Sequence, residues 1–283
     1  MMMTTPTAAQ PLKLIFRGNL EFGSERTFNM VLNHWNTRVE TYFKMDVLLK
    51  AEEVFHADRF SLEVPQLVVM STEKYWRNTT ALLQEIAQYA MAGRIGAWWV
   101  NGGQVLSEFT IEPLTDKTAV SEYIRGRNLV QQGGMENEAT TALNNAIAKF
   151  ERHAHAYERR GYINYKLKNF NDALYDFSKS IDINPNNPEP FYGRGKVRML
   201  KNEWDLAALD FATTIKLSLA VQPMHWLARL RRGESLYHAK RFTEAVQEIK
   251  FFLQKKFNES DPNARFRSKA TFLLAECEKM IKG

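Results

Sequence analysis

The sequence predicts an α+β protein. A small α+β sandwich, an antiparallel sheet with two helices, is expected over residues 12–115, and an all-α solenoid of paired helices closed by a capping helix over residues 116–283. Three observations carry this. Before Lys117, short alternating apolar runs surround two stretches with helical spacing. After it, glycines recur at Gly126, Gly161, Gly195 and Gly233, separated by 35, 34 and 38 residues. The charge also changes sign: residues 1–115 hold 10 Lys and Arg against 12 Asp and Glu, a balance of −2, whereas residues 116–283 hold 28 against 20, a balance of +8.

The whole chain of 283 residues is long enough for about two domains. Hydrophobic residues at 45%, charged residues at 25% and a mean hydropathy of −0.40 exclude disordered, collagen-like and membrane classes as the main description. The net charge of +6 and pI near 9.2 lean toward acidic partners and fall short of a nucleic-acid signature. A single cysteine, Cys277, makes an intramolecular disulfide impossible and points to a reducing compartment. Residues 1–11 are expected to be a flexible tail without a basic leader. The apolar stretch Leu12 to Phe16 is too short for a signal peptide or a membrane span, so a cytoplasmic protein without a membrane partner is expected.

In chain order, Leu12 to Arg17 reads as a strand, and Ser24 caps a helix carrying Phe28, Val31, Leu32, Trp35 and Val39. Asp46 to Lys50 and Arg59 to Val64 read as strands. Thr72 to Ala92 reads as a helix with Trp76, Thr80, Leu83 and Ala87 on one side, ended by Gly93. Ala97 to Val100 and Gln104 to Glu112 form a hairpin about Asn101 and Gly102. Trp98 and Trp99 project to opposite faces, one toward the core and one toward an interface. Pro113 to Lys117 is the junction.

The second part is a repeat. From Gly161, an aromatic at Phe170, Ala173 and Phe177 stand at offsets of 9, 12 and 16 residues. The same offsets from Gly195 reach Trp204, Ala207 and Phe211, and from Gly233 they reach Phe242, Ala245 and Ile249. A fainter copy starts at Gly126, with one inserted residue before Ala139 and Leu143. Small residues at a helix crossing with large ones around it make a close helical hairpin, and each hairpin needs a neighbour to cover its remaining face. Asn187 caps a helix that opens with Pro188. Leu217 to Pro223 contains four extra residues that widen one turn. A last helix, Asn263 to Ile281, carries Phe266, Ala270, Phe272, Leu273, Leu274 and Cys277 as its apolar stripe.

These residues resemble the tetratricopeptide repeat family, over about Ala119 to Gly283. The resemblance implies about four helical hairpins whose first helices line a groove for extended peptides. The positions it implies for that groove are Tyr123 and Arg127 in the first unit, then His155, Arg159, Tyr162, Tyr165 and Lys166. Tyr192, Lys196 and Met199 follow from the third, with Arg231, Glu234, Tyr237 and His238 from the fourth. Such a basic, tyrosine-rich lining favours acidic segments with an apolar or aromatic anchor. Arg125, Arg160, Arg194 and Arg232, each just before a repeat glycine, are expected to face solvent. One subfamily grips the C-terminal carboxylates of chaperones with Lys, Asn and Arg. The corresponding positions read Tyr123, Arg127, Arg159, Glu189 and Gly193, or Glu158, Tyr162, Gly193, Leu227 and Arg231, and neither set matches, so chaperone tails are disfavoured as partners.

Catalytic and ligating patterns do not emerge. Gly18 and Gly23 lack the Lys and Ser/Thr of a phosphate loop, and Gly93 with Gly96 ends a helix instead of opening one. His153 and His155 point to different sides of a helix, and Glu52 and Glu53 diverge, so no catalytic, cofactor or metal site is expected. The reading is a non-enzymatic interaction adaptor with a protein or peptide partner, in which residues 12–115 bind a second partner or self-associate into a homo-oligomer. The alternative makes residues 12–115 an enzyme or small-molecule sensor with the repeats as targeting arm, and a polar-lined cavity near Trp35, His34 or Trp76 would favour it. Nucleic-acid binding is a weaker reading, which affinity without steep salt dependence would remove.

Overall fold

The computed structural model describes residues 12–102, 104–258 and 261–282. The flexible tail expected at residues 1–11 lies outside the described residues. Strand β1 (Leu12–Glu21) is followed by helix α1 (Glu25–Thr37), a π-helical turn (Arg38–Tyr42), α2 (Ala51–Val54), β2 (Phe55–His56), β3 (Ser61–Ser71), α3 (Glu73–Ala87), β4 (Ala92–Asn101) and β5 (Gln104–Ile111). All strand pairs are antiparallel, in the order β2-β3-β1-β4-β5. Leu14, Phe16 and Leu20 of β1 are fully buried with Val31, Trp35, Leu82, Leu83 and Ile86 of α1 and α3. Alternation on the strands and the helical spacing therefore build one core, with burial of each large side chain worth roughly 2 kcal/mol.

Local chemistry sets the element ends. The Ser24 Oγ accepts from the Thr27 amide at 3.2 Å and starts α1 as expected. Residues 46–50, expected as a strand, are not one. The Leu48 amide donates to Thr79 Oγ1 at 3.0 Å, and Asn78 Nδ2 donates to the Asp46 carbonyl at 3.0 Å, so side chains of α3 take the bonds a strand would give a neighbour. The second strand is instead the two residues Phe55 and His56, and β3 runs well past Val64. Helix α3 ends at Ala87, where the Lys117 ammonium donates to the Tyr89 carbonyl at 2.7 Å. Gly93 does not stop the helix. It sits in β4 with φ 113°, where a Cβ would lie 2.3 Å from the Asn19 carbonyl oxygen, so the close approach of β1 demands glycine. Asn101 and Gly102 turn the hairpin, Gly102 at φ 55°. Trp99 packs on the core, and Trp98 lies across Gly96 at 6% exposure, so the ring expected at an interface is covered.

Among the described residues nine further α-helices and one short 3-10 turn follow: α4 (Thr118–Gln132), α5 (Glu136–Lys149), α6 (Ala154–Lys166), α7 (Phe170–Ile183), α8 (Pro188–Leu200), α9 (Trp204–Leu217), α10 (Pro223–His238), α11 (Phe242–Gln254), the 3-10 turn (Ala264–Phe266) and α12 (Arg267–Lys282). The described chain forms two compact units, one ending at Asn128 and adding Asn144–His153, the other comprising Leu129–Leu143 and the residues from Ala154 onward. The first helical pair thus contributes to both.

In the second unit each repeat glycine makes room for the large residue 16 positions later. A Cβ at Gly161 or Gly195 would come within 3.0 Å of the ring of Phe177 or Phe211, and one at Gly233 within 2.7 Å of Ile249. Gly193 faces the Phe177 ring from the next hairpin, where a Cβ would be 2.5 Å away. The turn after each first helix has a left-handed residue seven positions past the glycine: Lys168 (φ 63°), Asn202 (φ 59°) and Lys240 (φ 62°). At the equivalent place in the first repeat stands Gly133, at φ 71°. Asn187 accepts from the Glu189 amide at 3.1 Å ahead of Pro188, as expected. Residues 218–222, which hold the insertion, form an ordered turn in which Gln222 Oε1 accepts from the Leu219 amide at 3.1 Å and Trp226 Nε1 donates to the Ala220 carbonyl at 2.7 Å. On α12, Ala270, Leu273 and Cys277 are buried, but Phe272 is 67% exposed and leaves the expected apolar stripe.

Of the arginines before the glycines, Arg160, Arg194 and Arg232 do not face solvent, and only Arg125 does. Arg160 binds Asp176 with Nη2 to Oδ1 at 2.6 Å, Arg194 binds Asp210 at 2.8 Å, and Arg232 binds Glu248. Each acid lies 16 residues after its arginine, in the paired helix, and all three are buried. Arg125 meets Thr141 at that spacing and instead pairs with Glu122 on its own helix, half exposed. Removing one partner of a buried pair strands the other charge. Asp176→Ala is expected to cost about 3 kcal/mol in chemical denaturation, whereas Arg125→Ala changes stability by less than about 0.5 kcal/mol. Equal, small effects of the two substitutions would remove the clamps from the account.

In the first unit, His153 is fully buried with its ring 4.6 Å from that of Tyr123. Burial pushes its pKa down to about 4. The unfolded chain, at about 6.5, therefore binds a proton that the folded chain refuses, and stability falls as pH drops from about 6.5 toward 4. His153→Phe keeps a ring beside Tyr123 and is expected to abolish an acid-side loss of about 3 kcal/mol, measured by denaturation at pH 7 and near pH 4. Parallel stability curves for the two proteins would contradict it.

Candidate functional site

The first helices of the hairpins in the second unit place the expected groove residues in two clefts. One, of about 470 Å³, is lined by Arg159 and Tyr162 of α6 and Tyr192 of α8, together with Glu158, Glu189, Met224 and Leu227. Arg265 and Phe266 of the 3-10 turn close it. The other, of about 320 Å³, is lined by Tyr165 of α6, Lys196, Met199 and Leu200 of α8, Trp204 of α9, and Arg231 and Glu234 of α10. The Tyr192 ring lies between them, 6.0 Å from Lys196 Nζ.

The packing that spaces the helices also orients these side chains. Tyr162 stands edge-on to Phe177, with ring centres 5.0 Å apart, and its hydroxyl donates to the Glu189 carbonyl at 3.2 Å. Tyr192 packs on Phe211 in the same way at 5.6 Å. Burial, then the Glu158 and Glu189 carboxylates, hold the Tyr162 hydroxyl well above its ordinary pKa, so it is a neutral donor. Glu158 is 1% exposed, accepts from Asn187 Nδ2 at 2.9 Å, and has Arg159 Nε 3.7 Å away. The first cleft thus combines two acids, two arginines and an apolar wall. Arg231 donates to Glu234 at 2.7 Å, and Lys269 of α12 reaches the other oxygen of that carboxylate at 2.7 Å.

Eight expected positions therefore line the clefts: Arg159, Tyr162, Tyr165, Tyr192, Lys196, Met199, Arg231 and Glu234. The rest are placed otherwise. Tyr123 and Arg127 belong to the first compact unit, where Tyr123 is buried against His153 and Arg127 binds both oxygens of Glu112, at 2.6 and 2.8 Å. His155 is buried at 4% exposure. Lys166 pairs with Glu136 at 3.0 Å. Tyr237 packs on Phe242, with ring centres 5.8 Å apart, and His238 stacks on Trp204 at 4.3 Å. Leu227, Glu158 and Glu189, which correspond to chaperone-clamp positions, also line the first cleft, and their spacing from the repeat glycines is the signal that locates them. Arg265 and Phe266 carry no such signal, because the last helix has no repeat glycine.

The first unit has a cavity of about 320 Å³ beside Trp35, lined also by Asn36, Val39, Glu40, Val47, Leu49, Lys50 and Glu52. The π-helical turn forms one wall. Lys44 and Met45, both left-handed at φ 50° and 66°, lead out of that turn into the loop that forms the other. Among the described residues, no group of three or more His, Cys, Asp or Glu side chains is placed to hold a metal ion. No helix among them is long and apolar enough to cross a membrane.

Comparison with known proteins bears on the second unit. Residues 154–187 and 192–250 match models of the tetratricopeptide repeat, and neither match reaches the sheet domain. Among solved structures, the chain is similar to the MamA protein, at 20% identity over 52% of this chain and 76% of that one, with a TM-score of 0.44. It is similar to MamA from Desulfovibrio magneticus RS-1, at 14% identity over 60% and 98%, with a TM-score of 0.45. A third likeness is to the second repeat domain of Spaghetti (RPAP3), solved with an HSP90 peptide, at 24% identity over 36% and 94%, with a TM-score of 0.35. The repeat period, the glycine-to-ring packing and the two family-model matches agree: residues 154–187 and 192–250 are tetratricopeptide repeats.

Proposed function

We propose that the protein is a non-enzymatic, cytoplasmic interaction adaptor whose repeat unit holds an extended, acidic segment of a partner protein across the two clefts. The sheet domain then engages a second partner or another copy of the chain. The observation that carries the reading is the convergence of seven basic, aromatic or thioether side chains, spaced by the repeat, on two clefts of one unit. The +8 balance of residues 116–283 supplies long-range attraction for an acidic segment, and the tyrosines supply rigid, amphipathic contact area. Glu189 and Gly193 stand where chaperone-binding members use cations, which argues against chaperone tails as the partner.

A second reading is favoured by one observation, the cavity beside Trp35. Its volume lies at the lower end of the range for small-molecule sites, with an apolar floor and polar side chains at its rim. Small aromatic compounds should then raise the unfolding temperature of the full chain, and Val47→Trp, which fills the cavity, should abolish the rise. No compound of any charge raising it would dismiss this reading.

For the adaptor, the full chain serves as bait for partner capture, with Arg159→Glu and Arg231→Glu compared against the unaltered protein. Each reversal replaces a cleft cation by an acid and is expected to lower recovery about tenfold, most strongly at low salt. Undiminished capture by both variants would sink the groove reading.

A further inference from the structure

The two clefts differ in their charge balance. In the second, Lys196 is half-buried, with its Nζ 4.2 Å from the centre of the Tyr165 ring. Among the described residues it has no carboxylate partner and no hydrogen bond, and its contacts are the two tyrosine rings. The neighbouring Arg231 is already committed to Glu234, and so is Lys269. Three cations therefore share one carboxylate. Glu234 is itself held below its usual pKa. Burial opposes this, but Lys269 and Arg231 outweigh it, so no proton transfer relieves the imbalance.

A partly desolvated ammonium without an acid is costly, because burial removes water and nothing on the protein replaces it. Burial, and next the Arg231 charge, push the Lys196 pKa down, which has the same origin. The rings of Tyr165 and Tyr192 compensate through their negative faces, a weaker interaction than a paired oxyanion. Met199, Leu200 and Trp204 line the same cleft and give it an apolar side.

We propose that this second cleft is an oxyanion site: a carboxylate or phosphate monoester on the partner segment pairs with Lys196 Nζ, takes Arg231 as a second donor, and lays its adjoining carbon atoms on Met199, Leu200 and Trp204. The proposal rests on the groove reading above and assigns the acidic residue to one place in it. Lys196 is not among the residues compared with the chaperone clamp above, and Arg231 is the one cation of those sets that lines this cleft.

The test uses the full chain and small probes, titrated calorimetrically at low and high salt: phenyl phosphate, phenylacetate and, as neutral control, benzyl alcohol. Both anions should bind at least about tenfold more tightly than the alcohol at low salt, with the difference shrinking as salt screens it. Lys196→Met should lower anion affinity about tenfold and leave the alcohol unaffected, and Lys196→Arg should restore most of the loss. Since Lys196 makes no ion pair and its burial is costly, the Met variant is expected to unfold at or above the temperature of the unaltered protein, which separates a binding loss from misfolding. Phenyl phosphate binding more tightly than phenylacetate assigns the anion to a phosphorylated residue, and the reverse order assigns it to Asp or Glu. Anion affinity unchanged in Lys196→Met, no preference over the alcohol, or no binding by any probe would each overturn the site. Partner capture that still responds to Arg159→Glu in that event would leave the groove reading standing without it.

Discussion

The repeat unit depends on one contact, the Phe177 ring lodged between two glycines. Gly161 approaches it from the partner helix and Gly193 from the next hairpin, each at a distance that a methyl group would close. Three helices are thereby fixed about one fully buried ring, and no larger residue fits at either glycine without shifting a rigid aromatic. Phe211 and Ile249 repeat the first of these contacts, beside Gly195 and Gly233. The buried Arg160–Asp176, Arg194–Asp210 and Arg232–Glu248 pairs add direction to this packing, because a planar guanidinium meets a carboxylate in few geometries. Close packing sets how far apart the helices lie, and the clamps set how they are turned.

The candidate site inherits both settings. Tyr162 and Tyr192 pack edge-on against the same rings that wedge the helices, so the groove tyrosines are held by the core instead of extending freely into solvent. Both tyrosines line the first cleft, and Lys196, in the second, sits between the rings of Tyr165 and Tyr192. A preorganised surface loses little side-chain entropy when a ligand arrives, which is the physical advantage of building a binding face from packed aromatics.

Much of this was legible in the chain, and the failures have physical causes. The period, the glycine-to-aromatic offsets, the Ser24 and Asn187 caps and the Asn101–Gly102 hairpin are local signals, and they correspond to observed elements. Residues 46–50 misled because alternation cannot show that α3 side chains would take the backbone hydrogen bonds. Gly93 looked like a helix stop, since its need for a positive φ is visible in sequence but the strand crossing that creates the need is not. Arg160, Arg194 and Arg232 look solvated in the sequence because their acids lie 16 residues away in another helix, although that interval recurs three times. Tyr123 and Arg127 occupy groove positions by spacing, yet His153 and Glu112 engage them within the first unit, a tertiary contact that no repeat offset encodes.

The central claim, that the clefts of the repeat unit hold a partner's acidic segment, is tested most directly by photo-crosslinking from single positions of the full chain. A benzophenone amino acid replaces Tyr162, which lines the first cleft, or Tyr175, which is exposed on α7 and lines neither cleft. Mass spectrometry then identifies the crosslinked peptide. The account predicts adducts from position 162 within a segment rich in acidic or phosphorylated residues, and none of that segment from position 175. Adducts of the partner from position 175 alone, or from 162 within a basic segment, would contradict it.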